Sequence, residues 1–266
     1  MNVAIFGGTF DPVHRGHVAV ARAAAERFKL GRIYFVPADI PPHKQKQPLT
    51  PYYHRYAMLA LALAGEKNFI PSLLEAPEVI QSEGALASYS IDTVRRFKRR
   101  LKKSDKLFFL IGIDAFMDIA KWRSPVELLR ECEFIVASRP GFSLSQVARA
   151  LPEELRPAAQ VAQIFQKQAA TGELVLSGTT IHLLDEVNEP DSATKVRKAA
   201  SSGRKIVNKV SDAVAEYIRK EQLYKPGQKD PGDAMPVESP NAAKNAPEQR
   251  RKEFHIVGGH AHRKKT

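Results

Sequence analysis

Apolar residues fall in short runs that end at glycine or proline, alternating with stretches where they recur every three or four positions. Val3–Phe6 is a run of the first kind. It stops at Gly7-Gly8 and predicts a buried strand entering a tight turn. From His17 to Phe28, Val18, Ala21, Ala24, Ala25 and Phe28 keep helical spacing, and Gly31 is the expected C-cap. Ile33–Val36 is the next strand. The chain thus opens as strand, glycine-rich loop, helix and strand, which is a βαβ unit.

The alternation continues. Thr50-Pro51 predicts an N-cap and first helical position, with Met58, Leu59 and Leu63 on the apolar side. Phe69–Leu73 reads as a strand. Ser90 is placed to cap a helix carrying Ile91, Val94, Phe97 and Leu101. Leu107–Ile111, Phe134–Ala137 and Ile181–Leu184 are further strands, and helices are expected over Ala193–Ser202 and Ser211–Gln222. Residues 142–178, rich in Ala and Gln, are expected to be helical. Strands alternating with helices predict an α/β fold: Rossmann-like, doubly wound, a mostly parallel sheet with helices on both faces. From Lys225 apolar residues thin out, Pro, Gly and acidic residues take over, and the end turns basic. Such a segment cannot repay the entropy of ordering. The expectation is one domain over residues 1–224 and a disordered tail over 225–266.

Composition narrows this picture in two ways. The net charge of +12 suits anionic ligands, without choosing among nucleotides, nucleic acid and acidic membranes. The single cysteine, Cys132, excludes an internal disulfide framework and reads as a buried structural thiol. Neither a signal-peptide pattern nor a run of about 18 apolar residues is present, so a cytoplasmic protein without a membrane span is expected.

Candidate chemistry concentrates in Gly7-Gly8-Thr9-Phe10-Asp11-Pro12-Val13-His14-Arg15-Gly16-His17, between the first strand and the first helix. Ligands of open α/β sheets sit at the carboxyl ends of strands. A helix N-terminus there offers free N–H groups and a positive dipole end to phosphate. Gly7, Gly8 and Gly16 allow backbone to approach a ligand closely. His14 and His17 are three apart, so one first turn carries both on one side. The loop lacks Gly-Lys-Ser/Thr and Gly-x-Gly-x-x-Gly, which excludes a P-loop and a dinucleotide fingerprint.

This string resembles the signature of the nucleotidyltransferase superfamily that carries His-x-Gly-His, and in full that of bacterial nicotinate-nucleotide adenylyltransferases. Further segments resemble that family in order: Pro41-Pro42-His43-Lys44, Ser88-Tyr89-Ser90-Ile91-Asp92-Thr93, Gly112-Ile113-Asp114 with Trp122, Arg139-Pro140-Gly141, Ser192-Ala193-Thr194-Lys195-Val196-Arg197, and Leu223-Tyr224. The resemblance spans about Met1–Tyr224. It implies adenylyl transfer from ATP, with Mg2+, to nicotinate mononucleotide, giving nicotinate adenine dinucleotide and pyrophosphate in NAD biosynthesis.

The catalytic set it implies is His14, His17 and Arg197. ATP would meet Gly7, Gly8, Thr9, Phe10, Gly16, Asp114, Arg139, Ser192, Thr194 and Arg197. The acceptor would meet Lys44, Tyr89, Ser90 and Trp122, with the indole stacked on the pyridine ring. Asp11 would order the loop or lie near the magnesium, and no protein metal ligand is assigned. One residue departs from the pattern: Asp191 stands where the family carries an apolar residue, and an inward carboxylate there would repel phosphate. Two alternatives stay open. One is a different acceptor, nicotinamide mononucleotide or phosphopantetheine. The other is a nucleotide-fold binding protein that uses its basic tail on nucleic acid, a partner this sequence does not favour. The basic run Arg95–Lys103 keeps its apolar residues on one helical face, so it reads as a solvated face. A homo-oligomer stays open, and no membrane partner is expected.

Overall fold

The computed structural model describes residues 1–41, 49–82, 84, 87–138, 144–156, 172–176, 178–184 and 191–225. Its strands are β1 (Asn2–Gly8), β2 (Leu30–Pro37), β3 (Phe69–Pro71), β4 (Lys106–Gly112), β5 (Glu133–Ala137), β6 (Gly172–Leu176) and β7 (Thr179–Leu184). They form one sheet in the order β3-β2-β1-β4-β5-β7-β6, parallel except for the antiparallel edge strand β6.

Successive side chains of a strand point to opposite faces, and β1 supplies both cores. Val3 and Ile5 join one apolar cluster, with α4 (Ser90–Lys98), α5 (Ile113–Phe116), α6 (Pro125–Glu131) and α7 (Leu144–Ala150). Ala4 and Phe6 join the other, with α1 (Arg15–Arg27), α2 (Tyr52–Leu63), α8 (Ala193–Ser201) and α9 (Asp212–Lys220). A small helix, α3 (Pro77–Ser82), follows β3. The expected α/β architecture with both faces covered is therefore the one observed, and near-continuous apolar strands are its signature.

Several boundaries differ from expectation for local reasons. α1 begins at Arg15, because His14 takes the N-cap position with extended backbone. The chain leaves α1 through Phe28 and Lys29, the latter at φ 49°, so Gly31 is a strand residue rather than the cap. The N-cap of α2 is Pro51, and that of α4 is Tyr89. Within the Ala- and Gln-rich segment, Leu144–Ala150 is helical but Gly172–Leu176 is a strand. Leu174 is buried there while Val175 is 71% exposed, an alternation of the kind an edge strand shows. Residues 226–266, where the tail is expected, lie outside the described residues.

Part of the basic run is taken up by the fold, while Arg99, Arg100, Lys102 and Lys103 are exposed. Arg95 pairs with Glu127 and Glu131, Lys98 pairs with Glu131, and the buried Arg96 donates to the Leu74 carbonyl. Cys132 is free, half-buried and packed against the core, and burial pushes its thiol up. No helix among the described residues is long and apolar enough to cross a membrane.

Candidate active site

From β1 the chain builds outward to β2 and β3 on one side, then returns to place β4, β5 and β7 on the other. The crevice between the carboxyl ends of β1 and β4 is thus the point where strand order reverses, the usual ligand position in such sheets. Gly7 and Gly8 leave β1 at this point. A Cβ on Gly8 would lie 3.2 Å from the Phe10 ring, and one on Gly7 would lie 3.4 Å from Phe109. The missing Gly8 side chain gives the Phe10 ring room to pack against the end of the strand, whereas a Cβ on Gly7 would be in ordinary contact. Phe10 is buried, at φ 47°, under the turn it terminates.

The loop is held from below by Arg55, which the sequence did not single out, and by Asp11, which it did. Arg55 on α2 is 1% exposed. Its guanidinium donates to the carbonyls of Thr50 (2.7 Å), Thr9 (2.9 Å), Ala38 (2.7 Å) and Asp39 (3.3 Å). Asp11 is buried too. Its Oδ2 accepts from the Thr50 N–H at 3.2 Å and its Oδ1 from the Tyr224 hydroxyl at 2.7 Å. The last described turn of the chain therefore ties down the first loop. Tyr224→Phe takes one donor from a buried carboxylate, and a hydrogen bond to a charged group is worth about 1.5–3 kcal/mol. We expect a loss of that size in thermal or denaturant unfolding, with a weaker affinity for ATP as the loop loosens.

His14 and His17 stand at the start of α1, their ring centroids 3.8 Å apart. The His14 backbone N–H donates to Nδ1 of His17 at 3.2 Å, and the His17 N–H donates to the His14 carbonyl at 3.0 Å. Because Nδ1 accepts, the neutral His17 ring carries its proton on Nε2. His17 is half-buried as a residue, and its ring is enclosed by Phe6, Phe10 and His14. Burial, then the neighbouring His14, holds its pKa well below 6.5. A depressed histidine pKa costs stability in acid. His17's share is intact above the unfolded value of 6.5 and declines as pH falls below it. At neutral pH His17 is a hydrogen-bond donor without charge.

A second helix start faces the same loop. Ser192 caps α8, its hydroxyl accepting from the Lys195 N–H at 3.3 Å. Thr194 lies in the first turn, and Arg197 reaches Thr194 Oγ1 at 3.5 Å. The same guanidinium donates to the Asp11 carbonyl at 2.6 Å. Arg197 therefore joins the second helix start to the loop that leads into the first. Arg15 adds a further tie, from its N–H to the Lys209 carbonyl (2.8 Å) and from its side chain to the Val207 and Val210 carbonyls.

Asp191 does not leave its charge in the crevice. Lys209 Nζ pairs with its Oδ1 at 2.6 Å, and both side chains are largely buried. Lys209→Met should release that carboxylate beside the second helix start and raise KM for ATP severalfold. The double change with Asp191→Asn should restore it, a coupling that a double-mutant cycle reads directly.

Gly7 and Gly8 also line a cavity of about 600 Å³ that runs to Tyr89, Ser90 and Trp122. Three segments distant in sequence, the β1 loop, the start of α4 and the turn after α5, thus share one space. Trp122 is half-buried against the core. Arg123 lies over the Tyr89 ring at 4.7 Å. Asp114 is in the first turn of α5, just beyond β4, and is exposed. Lys44 and Arg139, with His43, Pro140 and Gly141, lie outside the described residues.

The chain matches the cytidylyltransferase-like family model over residues 5–199. It is 38% identical over 225 residues to a protein of Moorella thermoacetica named "Probable nicotinate-nucleotide adenylyltransferase", covering 84% of this chain and 92% of that one. The chain belongs to the nicotinate-nucleotide adenylyltransferase family. A family member of the same name from Solibacter usitatus is 36% identical over 224 residues, covering 84% of this chain and 100% of its own. Among solved structures, a Plasmodium falciparum nicotinic acid mononucleotide adenylyltransferase complexed with NaAD superposes with a TM-score of 0.58 at 19% identity. It covers 84% of this chain and 97% of that chain, and shows the shared fold.

Proposed function

We propose that this adenylyltransferase joins ATP and nicotinate mononucleotide to give nicotinate adenine dinucleotide and pyrophosphate, a step of NAD biosynthesis. The observation that carries the reading is the joining of the Ser192–Arg197 helix start to the loop that leads into the His14–His17 helix start, beside a cavity walled by Tyr89, Ser90 and Trp122.

The acceptor's phosphate oxygen attacks the α-phosphorus of ATP, the bond to the β-phosphate oxygen breaks, and that oxygen leaves as pyrophosphate. The nucleophile is an anion at neutral pH, so no general base is required. Catalysis then rests on alignment and on donors aimed at the charge that builds on phosphate. His17 supplies Nε2–H, held in direction by the bond to Nδ1. His14 and the first N–H groups of α1 lie beside it, with Gly7, Gly8, Thr9, Phe10 and Gly16 shaping the bed. Arg197, Ser192 and Thr194 receive the departing phosphates. Asp114 offers a carboxylate to ribose hydroxyls.

Both oxygens of Asp11 are taken by Thr50 and Tyr224, so the magnesium that accompanies ATP would be held chiefly by nucleotide oxygens and water. An isotope label tests the route. Heavy oxygen placed in the acceptor's phosphate should appear in the dinucleotide and be absent from pyrophosphate. Label in the pyrophosphate would contradict attack at the α-phosphorus.

A further inference from the structure

No step of the transfer uses Glu75, yet it lies in the wall of the acceptor cavity. Its residue is 7% exposed, in the loop that follows β3. The Thr93 hydroxyl, one turn into α4, donates to Glu75 Oε1 at 2.5 Å, and the Thr93 N–H goes back to the Tyr89 carbonyl. Glu75 is thus bound to the helical turn that begins at Ser90. The first N–H groups of that turn have no partner inside the helix, and Ser90 lines the cavity. A carboxyl group and a set of anion-attracting N–H groups share one confined space.

The charged groups around Glu75 do not settle its state in favour of the ion. Arg96 on α4 is the cation that favours the ion, and one of its nitrogens also donates to the Leu74 carbonyl. Asp39, after β2, acts in the opposite sense, and the Tyr52 hydroxyl of α2 stands close enough to feel the carboxylate. Across the cavity Lys121 pairs with Asp118 and Arg123 with Asp92. Burial pushes Glu75 up to about 7, against the Thr93 hydrogen bond and the charge of Arg96.

We propose that Glu75 is a specificity-determining residue: protonated, it admits an acceptor bearing a pyridine carboxylate, and ionised, it turns the cavity toward the uncharged amide. This inference rests on the acceptor reading above. Two carboxylates in one desolvated site cannot both stay ionised without a large cost. An acid acceptor must therefore find or keep a proton on Glu75, whereas the amide carries no charge that opposes the carboxylate. Acid affinity falls relative to amide affinity as pH rises through the Glu75 titration. Each pH unit beyond the pKa can cost up to about tenfold.

Trp122 is the only tryptophan, so its fluorescence reports on the cavity. Binding of nicotinate mononucleotide and of nicotinamide mononucleotide to the full chain is measured from pH 6 to 8.5. Both carry the same phosphate, whose second ionisation near pH 6 cancels in the affinity ratio. In the wild type the preference for acid over amide should fall by up to about thirtyfold across this range. In Glu75→Gln, which keeps an oxygen for Thr93, it should stay flat at the low-pH value. A flat wild-type ratio, or an unchanged slope in Glu75→Gln, overturns the inference alone. Failure of both pyridine nucleotides to bind at any pH, while ATP binds, overturns the acceptor assignment and this inference together.

Discussion

His17→Ala should lower kcat by about 10²–10³-fold while leaving the affinity for ATP within a fewfold of wild type. The size is that of losing one preorganised donor to a charge-building oxygen. The direction follows from how the ring is held. Its Nδ1 is fixed by the His14 N–H, Phe6 and Phe10 flank the ring, and burial keeps it neutral. A neutral donor discriminates weakly between ground-state phosphate and solvent. Its contribution grows as negative charge accumulates, which places the loss in kcat rather than in binding. Steady-state kinetics with both substrates varied check this, with a melting curve to confirm that the loop still folds. A loss below tenfold would remove His17 from the chemistry. His17→Asn, which keeps a side-chain donor in a shorter group, should fall between wild type and alanine.

Arg55→Met should destabilise the protein by about 3–5 kcal/mol, the range for removing one partner of a buried ion pair, since Asp11 and Asp39 lose the cation that acts on them. Four carbonyls, those of Thr9, Ala38, Thr50 and Asp39, lose their donor together. Each unsatisfied buried group costs about 1–3 kcal/mol before relaxation. For a domain of this size the melting temperature should fall by roughly 10 °C. Turnover should drop even well below the new melting point, because Thr9 belongs to the phosphate loop. Arg55→Lys should recover only part of the stability, since an ammonium cannot reproduce the planar fork that reaches four oxygens. Unfolding of Arg55→Met within 1 kcal/mol of wild type would show that water replaces the guanidinium and that the loop does not depend on it.

The layers of the fold were legible because each strand is a short apolar run that ends at a turn residue, and the helices between keep a clear period. β1 and β4 needed nothing else. β6 was not legible: only Leu174 of its five residues is buried, and the surrounding Ala- and Gln-rich composition favours helix. Its strand character comes from pairing with β7, a tertiary fact. The first helix start was read from Gly7–His17, and the second from Ser192–Arg197, because phosphate sites have local sequence form.

Arg55 and Tyr224 were legible only as part of a helix and of a closing motif. What they do depends on contacts 46 and 213 residues away in sequence, for which no local pattern exists. Asp191 is the reverse case. Alone it reads as a flaw in a phosphate site, and its partner Lys209 lies 18 residues on. Glu75 sits in an unremarkable stretch, and only the cavity wall gives it meaning.

The most direct measurement mixes the purified chain with ATP, magnesium and one acceptor at a time, and follows pyrophosphate release. The acceptors are nicotinate mononucleotide, nicotinamide mononucleotide and phosphopantetheine. The expected result at neutral pH is fast release with the nicotinate compound, much slower release with the amide, none with phosphopantetheine, and loss of the signal in His17→Ala. Release with phosphopantetheine alone, or undiminished release from His17→Ala, would contradict the account.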